Sequence, residues 1–461
     1  MTLPHEVISW AEQLCGGAVV DVEQQVRWRP HHFLTVNRPE GSAQFLLRSE
    51  RGGIAAASTF QQHFDIAHEA RVLEALQGHG LKVPRFLGYN EEHRVILMER
   101  VAGTNELLSE PDETTRGRVM SEYIEQLAHL HSLDVGSMTL SGLTVPSTPE
   151  QVAFGGQFGY LEHDWDGWKV HLRPEPLLEL GLWWLHDNVP RSERPVSFIQ
   201  GDTGPGQFMF HDGRLTALID WELAHIGDPM LDLAVMRMRN MLYPTGSLKV
   251  PIAYYESISG ESIDWQALTF YTVLVMLLTP LGLSTIMQWP TAHLEPVFPG
   301  FGWNATLRRG LTDALAESIG VEIEPPELPP APASQWPTLV DYLVEYLEVK
   351  CAPVASDEAG QFEISAATAI AKAVLRESLV GQVLLDADLD DMGSVLGRRP
   401  DDLESGTAKL AEIVADEPAK RFEELVWLFA RMEHRREYLH NPLMIVQESG
   451  EFERLAPRTL A

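Results

Sequence analysis

The sequence predicts an α+β chain, and three observations carry that reading. From Ala18 to about Glu99 the chain holds short apolar runs of strand length around one helical stretch. A longer helical region follows, interrupted by a single hairpin. Beyond a proline-rich segment, only helical periodicity remains. At 461 residues with 44% hydrophobic content, the chain has room for about three domains with ordinary buried cores.

The elements follow in order. Residues 1–17 read as a short helix with Val7, Ile8, Ala11 and Leu14 on one face. Val19–Val22, Phe33–Val36 and Phe45–Arg48 read as strands, His63–Leu76 as a helix, and Pro84–Leu87 and Arg94–Met98 as two more strands. Helices are expected at Val119–Leu133, Glu175–Asn188, Asp232–Met241, Ser262–Leu278 and Leu307–Ile319. The very apolar run Leu268–Leu278 is too short to span a bilayer and reads as a buried helix. Residues 325–337 contain six prolines and predict an extended linker. Beyond it, Leu339–Val349, Ala366–Leu384, Ala408–Val414 and Phe422–Tyr438 predict an all-helical domain, read as a docking or dimerisation module.

The most informative stretch is Phe198–Ala234. An apolar run at Val196–Ile199 leads into a loop with Asp202 among three glycines. Strands Phe208–Phe210 and Leu215–Ile219 flank Asp212-Gly213, the strongest short hairpin signal. A tight turn there sets Gln207 opposite Leu218, two residues from Asp220. One hairpin then delivers Gln207 and Asp220 to its open end, just after the loop that holds Asp202. Two carboxylates and an amide converge, the parts of a phosphoryl-transfer site: one carboxylate orients a hydroxyl, while the other and an amide oxygen hold Mg²⁺ against nucleotide phosphates.

These motifs resemble the aminoglycoside phosphotransferase-like family, kinase-fold enzymes that phosphorylate small molecules. Gly201-Asp202, Ile219-Asp220-Trp221-Glu222, Gly227-Asp228-Pro229 and Asp232-Leu233-Ala234 match its pattern. The resemblance implies a bilobal protein-kinase-like fold with a five-stranded antiparallel N-lobe, a mainly helical C-lobe and an added all-α C-terminal domain. The implied boundaries are 1–102 for the small lobe, 103–324 for the large lobe, 325–337 for the linker and 338–461 for the accessory domain. Glu99–Gly103 resembles the hinge between the lobes. Asp202 takes the place of the catalytic aspartate and Asp220 that of the metal-binding aspartate, with Gln207 as second metal ligand. Gln200 stands where the family has His and Gln207 where it has Asn. Gln keeps the ligand type of Asn with a longer arm, and Gln200 can hydrogen-bond the loop without carrying a charge.

The same resemblance puts Arg48 at the phosphate-contacting lysine position and Glu69 at its partner's; the bland reading of Glu69 is a solvated helix face. Between the first two strands the phosphate-cradling glycines are missing, and Arg27 and Arg29 stand as alternative phosphate contacts or as surface decoration. Asp228 and Asp232 read as structural, the first at a helix start and the second bracing the catalytic loop. Glu222 reads as metal-facing or, more simply, as a solvated strand end. His129 and His131 point to different faces of one helix and form no metal pair. Asp386, Asp388, Asp390 and Asp391 lack the glycine and glutamate of a calcium loop and read as a polar turn.

The resulting expectation is an ATP- or GTP-dependent, Mg²⁺-assisted transfer to a hydroxyl of a small molecule. The alternative is a non-catalytic kinase-like module that binds a metabolite or partner. The Ile-Asp-Trp-Glu phrase leans towards the branch associated with acyl-coenzyme A metabolism. A net charge of −31 argues against nucleic acid and anionic membrane as partners. Two distant cysteines and a start without a targeting pattern fit the cytoplasm.

Overall fold

The computed structural model describes residues 3–25, 31–50, 66–156, 174–191, 194–286, 299–330, 338–356, 358–444 and 449–455. The chain divides into two compact units. The first comprises 1–165, 190–236 and 247–264; the second comprises 166–189, 237–246 and 265–461.

In the first unit, helix α1 (His5–Cys15) precedes strands β1 (Ala18–Gln25), β2 (His31–Arg38) and β3 (Gly41–Ser49). Helix α2 (Ile66–Leu76) and strands β4 (Phe86–Asn90) and β5 (Val95–Glu99) follow. The five strands form one antiparallel sheet in the order β1-β2-β3-β5-β4. This is the expected five-stranded lobe. Strand alternation turns Leu34, Val36, Phe45, Leu47, Val95 and Leu97 to one face, where Val7, Ala11 and Cys15 of α1 cover them.

Helix α3 (Glu113–His131) starts at Asp112, whose carboxylate accepts from the amides of Thr114 and Thr115. The short helix α4 (Pro149–Ala153) follows. Strand β6 (Ser197–Ile199) pairs with β9 (His225–Gly227), and β7 (Phe208–His211) pairs with β8 (Arg214–Leu218). The hairpin register differs by one residue from that expected. Phe208, not Gln207, faces Leu218, because the ladder shifts between Met209 and Phe210. Gln207 instead accepts through its carbonyl from Ile219 N at 3.0 Å, one residue nearer Asp220. Gly103, in the expected hinge, has φ +114°, and a Cβ there would lie 2.1 Å from the Phe210 carbonyl oxygen. Its missing side chain lets Thr104 bridge to the hairpin at Phe210. The unit also contains most of α6 (Pro229–Leu242) and all of α7 (Lys249–Ser259).

The second unit is helical among its described residues: α5 (Pro176–Asp187), α8 (Trp265–Ile286), α9 (Asn304–Ser318), α10 (Leu339–Tyr346), α11 (Glu358–Leu396), α12 (Leu403–Asp416) and α13 (Phe422–His440). Helix α8 runs on through Pro280; the Thr279 hydroxyl donates to the Val275 carbonyl on the turn that proline disturbs. No described helix is long and apolar enough to cross a membrane. Asp386, Asp388, Asp390 and Asp391 belong to α11 and do not form the expected polar turn. Arg399 pairs with Asp386 and Asp390, Arg431 with Asp391, and Arg435 with Asp388 and Asp391, so their charge is balanced along the helix.

Helices α9 and α13 meet through buried ions. Arg308 lies 2.9 Å from Glu433 and 3.0 Å from Glu175, while Arg309 pairs with Glu437 and, at 3.1 Å, with Asp313. Burial alone would raise the Glu433 carboxyl, yet Arg308 and Arg436 beside it hold it below the usual range. Arg308→Ala therefore removes the main cation from Glu433 and the cation beside Glu175, and should cost about 3–5 kcal/mol. Urea unfolding checks this. Arg308→Leu combined with Glu433→Leu should recover most of the loss.

Candidate active site

The loop after β6 is built around Asp232, a fully buried residue in the first turn of α6. Its two carboxylate oxygens accept from Gln200 N at 2.8 Å and Gly201 N at 2.7 Å. Its own carbonyl accepts from the Thr203 hydroxyl. His131 shares the carboxylate through Nε2 at 3.0 Å and meets the Tyr255 hydroxyl through Nδ1 at 2.7 Å. Gly201 has φ +81°, and a Cβ there would lie 2.3 Å from the Leu223 carbonyl oxygen, so the turn closes only on glycine. Asp228 sits one residue before α6, where its carboxylate accepts from Met230 N at 2.9 Å. Burial raises its pKa.

Gln200 is fully buried and uses both ends of its amide. Its Nε2 donates to the carbonyls of Ile219 at 3.0 Å and Gln207 at 3.3 Å, tying the loop to both hairpin strands. Its Oε1 accepts from Tyr123 OH at 2.9 Å, and the same hydroxyl accepts from Gly204 N at 3.0 Å. Tyr123 stacks against Phe208 with ring centroids 4.7 Å apart. Sequence reasoning passed over Tyr123. The available signal was a tyrosine among Met120, Ile124 and Leu127 on the buried face of α3, whose hydroxyl needs a partner.

Asp202 and Asp220 are both half-buried. The Gln207 amide nitrogen donates to Asp202, and the Gln207 carbonyl accepts from Ile219, so this glutamine links the two carboxylate-bearing segments. The Gln207 amide oxygen takes part in no hydrogen bond among the described residues. Asp220 adopts the left-handed region at φ +62°, a conformation that aspartate tolerates better than most side chains.

Arg48 draws the remaining acids together. Its place in β3 is fixed by pairing with His31 on one side and Ile96 on the other. Its guanidinium meets Asp220 at 2.6 Å, Glu69 at 3.0 Å and Glu222 at 3.3 Å. Burial alone would lower its pKa; Glu69, Asp220 and Glu222 outweigh that and raise it, so Arg48 stays charged. Glu69 and Glu222 are buried, so neither is the solvated side chain its simpler reading expected. Arg27 and Arg29 lie outside the described residues.

An aspartate and an amide oxygen are hard ligands suited to Mg²⁺, which keeps several waters and takes phosphate oxygens alongside few protein ligands. Among the described residues, no group of three or more His, Cys, Asp or Glu side chains is arranged to hold a metal unaided.

Residues 33–271, just over half of the chain, match the phosphotransferase enzyme family, and the chain belongs to it. A candidate aminoglycoside phosphotransferase from Ralstonia eutropha superposes with a TM-score of 0.52 at 20% identity, covering 67% of this chain and 97% of that one. This likeness, together with the five-stranded sheet and the helices that follow it, establishes the kinase-like fold. Acyl-CoA dehydrogenase family member 11 of Rattus norvegicus is 27% identical over 210 residues, 42% of this chain and 25% of that protein. Family member 10 of Mus musculus is 26% identical over 208 residues, 41% and 18% of the two chains. The chain thus spans a quarter or less of the length of these relatives.

His225, buried beside the loop, gives the site's environment a pH signature. Burial lowers its pKa from 6.5 to about 4, only partly offset by the bond from Nδ1 to the Leu223 carbonyl. A histidine whose pKa is depressed on folding stabilises fully above its unfolded value and loses that contribution as pH falls through the folded one. Stability should therefore drop between pH 6.5 and 4, with His225 supplying on the order of 3 kcal/mol. Urea midpoints at the two ends of that range check this. His225→Gln should show a shallower dependence.

Proposed function

We propose that this site transfers the terminal phosphoryl group of a nucleoside triphosphate, ATP or GTP, to a hydroxyl of a small molecule. The observation that carries the reading is the Gln207 link, which brings Asp202 and Asp220 to the same hairpin edge while both stay accessible. Asp202 orients the acceptor hydroxyl and receives its proton as the new oxygen–phosphorus bond forms and the bond from the terminal phosphorus to the departing nucleoside diphosphate breaks. Gln207 holds that carboxylate in place through its amide nitrogen. Its amide oxygen and the Asp220 carboxylate would hold Mg²⁺. Arg48 engages nucleotide phosphates, with Glu69 fixing its guanidinium. Mg²⁺, when bound, supplies positive charge against the phosphate oxygens. Gln200, Asp228 and Asp232 act only through the loop they hold.

The non-catalytic alternative draws on Gln200, Gln207 and the missing glycine loop. Gln200 satisfies its whole amide within the loop and hairpin, which supports the catalytic reading: the uncharged residue keeps the loop closed. For the acceptor, the names of the relatives favour a hydroxylated acyl-coenzyme A thioester as the first class to try, with other small alcohols as controls. The described helices 338–444 are proposed to serve as an accessory region with no part in the chemistry.

Asp202→Ala should lower transfer from labelled nucleotide by about 10²–10⁴-fold while leaving Mg-nucleotide binding intact, because the aspartate acts on the acceptor. Transfer at the parent rate would contradict the assignment.

A further inference from the structure

Helix α10 is apolar on two sides, one packed against α11 and the other exposed. Val340, Val344 and Leu347 are half-buried on the side from which the helix packs against α11. No residue of α10 is buried. On its outer side Leu339, Tyr342, Leu343 and Tyr346 recur at helical spacing. Val349 and Val354 extend the row through the helical turns that follow, and all six are between 48% and 87% exposed. A free helix surface in water favours polar residues, so a row of leucine, tyrosine and valine marks a contact surface.

We propose that this row is a two-fold interface joining two copies of this chain. Six side chains of this size, half-exposed or more, leave on the order of 600–700 Å² of mainly apolar surface. A two-fold axis buries the same patch on both copies, roughly 1,200–1,400 Å² in all, which falls in the standard class of stable interfaces. A two-fold axis across the middle of the row, between Tyr342 and Tyr346, runs the two helices antiparallel and sets Leu343 of each copy beside the axis. The area so buried reaches what a stable pair of identical chains needs, which makes a second copy the occupant.

The experiment uses the full chain, 51.6 kDa, in light scattering coupled to gel filtration. At about 50 µM the protein should run at twice that mass. Each copy carries −31, and that repulsion is screened beyond about 8 Å at physiological salt, so association should strengthen as salt rises. Leu339→Glu combined with Tyr346→Glu should give a monomer with unchanged circular dichroism, since both positions are exposed. In a Cys351→Ser background, Leu343→Cys lies next to the proposed axis and should cross-link into a covalent dimer on mild oxidation. That variant keeps the test open if the double glutamate variant misfolds. A wild-type monomer at raised salt would overturn the proposal. So would a dimer that survives both glutamates, or a Leu343→Cys variant that never cross-links.

Discussion

One buried guanidinium holds the proposed site together. Arg48 reaches from the middle strand of the five-stranded sheet to Glu69 on α2 and to Asp220 and Glu222 beyond the hairpin. Three carboxylates around one cation make an expensive arrangement in a low-dielectric setting. Removing the cation would leave repelling acids, so the cluster tolerates little displacement. It thereby fixes where β3, α2 and the end of β8 stand in the first unit. It also leaves excess negative charge at Asp220, the half-buried member, and a divalent ion beside phosphate is the natural complement of such a surplus.

Asp232 provides the second anchor, and it works by hydrogen bonding, not by ion pairing with arginine. Two successive amides of the loop converge on its carboxylate, a geometry that needs the positive φ of Gly201. Gln200 then passes this fixed position on to the hairpin through its amide, and Tyr123 holds that amide from the side. The loop bearing Asp202 is thus set by buried groups, while Asp202, the proposed base, is itself half-buried. Rigid support beneath an accessible acid is what positioning catalysis requires.

Much of this was legible in the residues because it is local. The Asp212-Gly213 turn, the loop glycines and the spacing from Asp202 to Asp220 are short-range features, and they located the hairpin and its polar end. The bulge at Met209–Phe210 shifted the register by one, which no turn signal reveals. Burial was the harder quantity. Glu69 and Glu222 look like surface acids until the tertiary fold brings Arg48 to them. The aspartates of 386–391 look like a turn until Arg399, Arg431 and Arg435 arrive from later in the chain. Each of these misread charges has a partner outside its own element. The substitution of Gln for His at 200 could be named from sequence, but its effect depended on Tyr123, 77 residues earlier.

The account stands on Asp220 and Gln207 engaging a nucleotide only through a divalent ion. Titration calorimetry with a non-hydrolysable nucleoside triphosphate tests this directly, once with Mg²⁺ and once with the ion chelated. A saturable one-to-one heat that vanishes without Mg²⁺ is the predicted result. Equal affinity with and without the ion, or no binding under either condition, would contradict it.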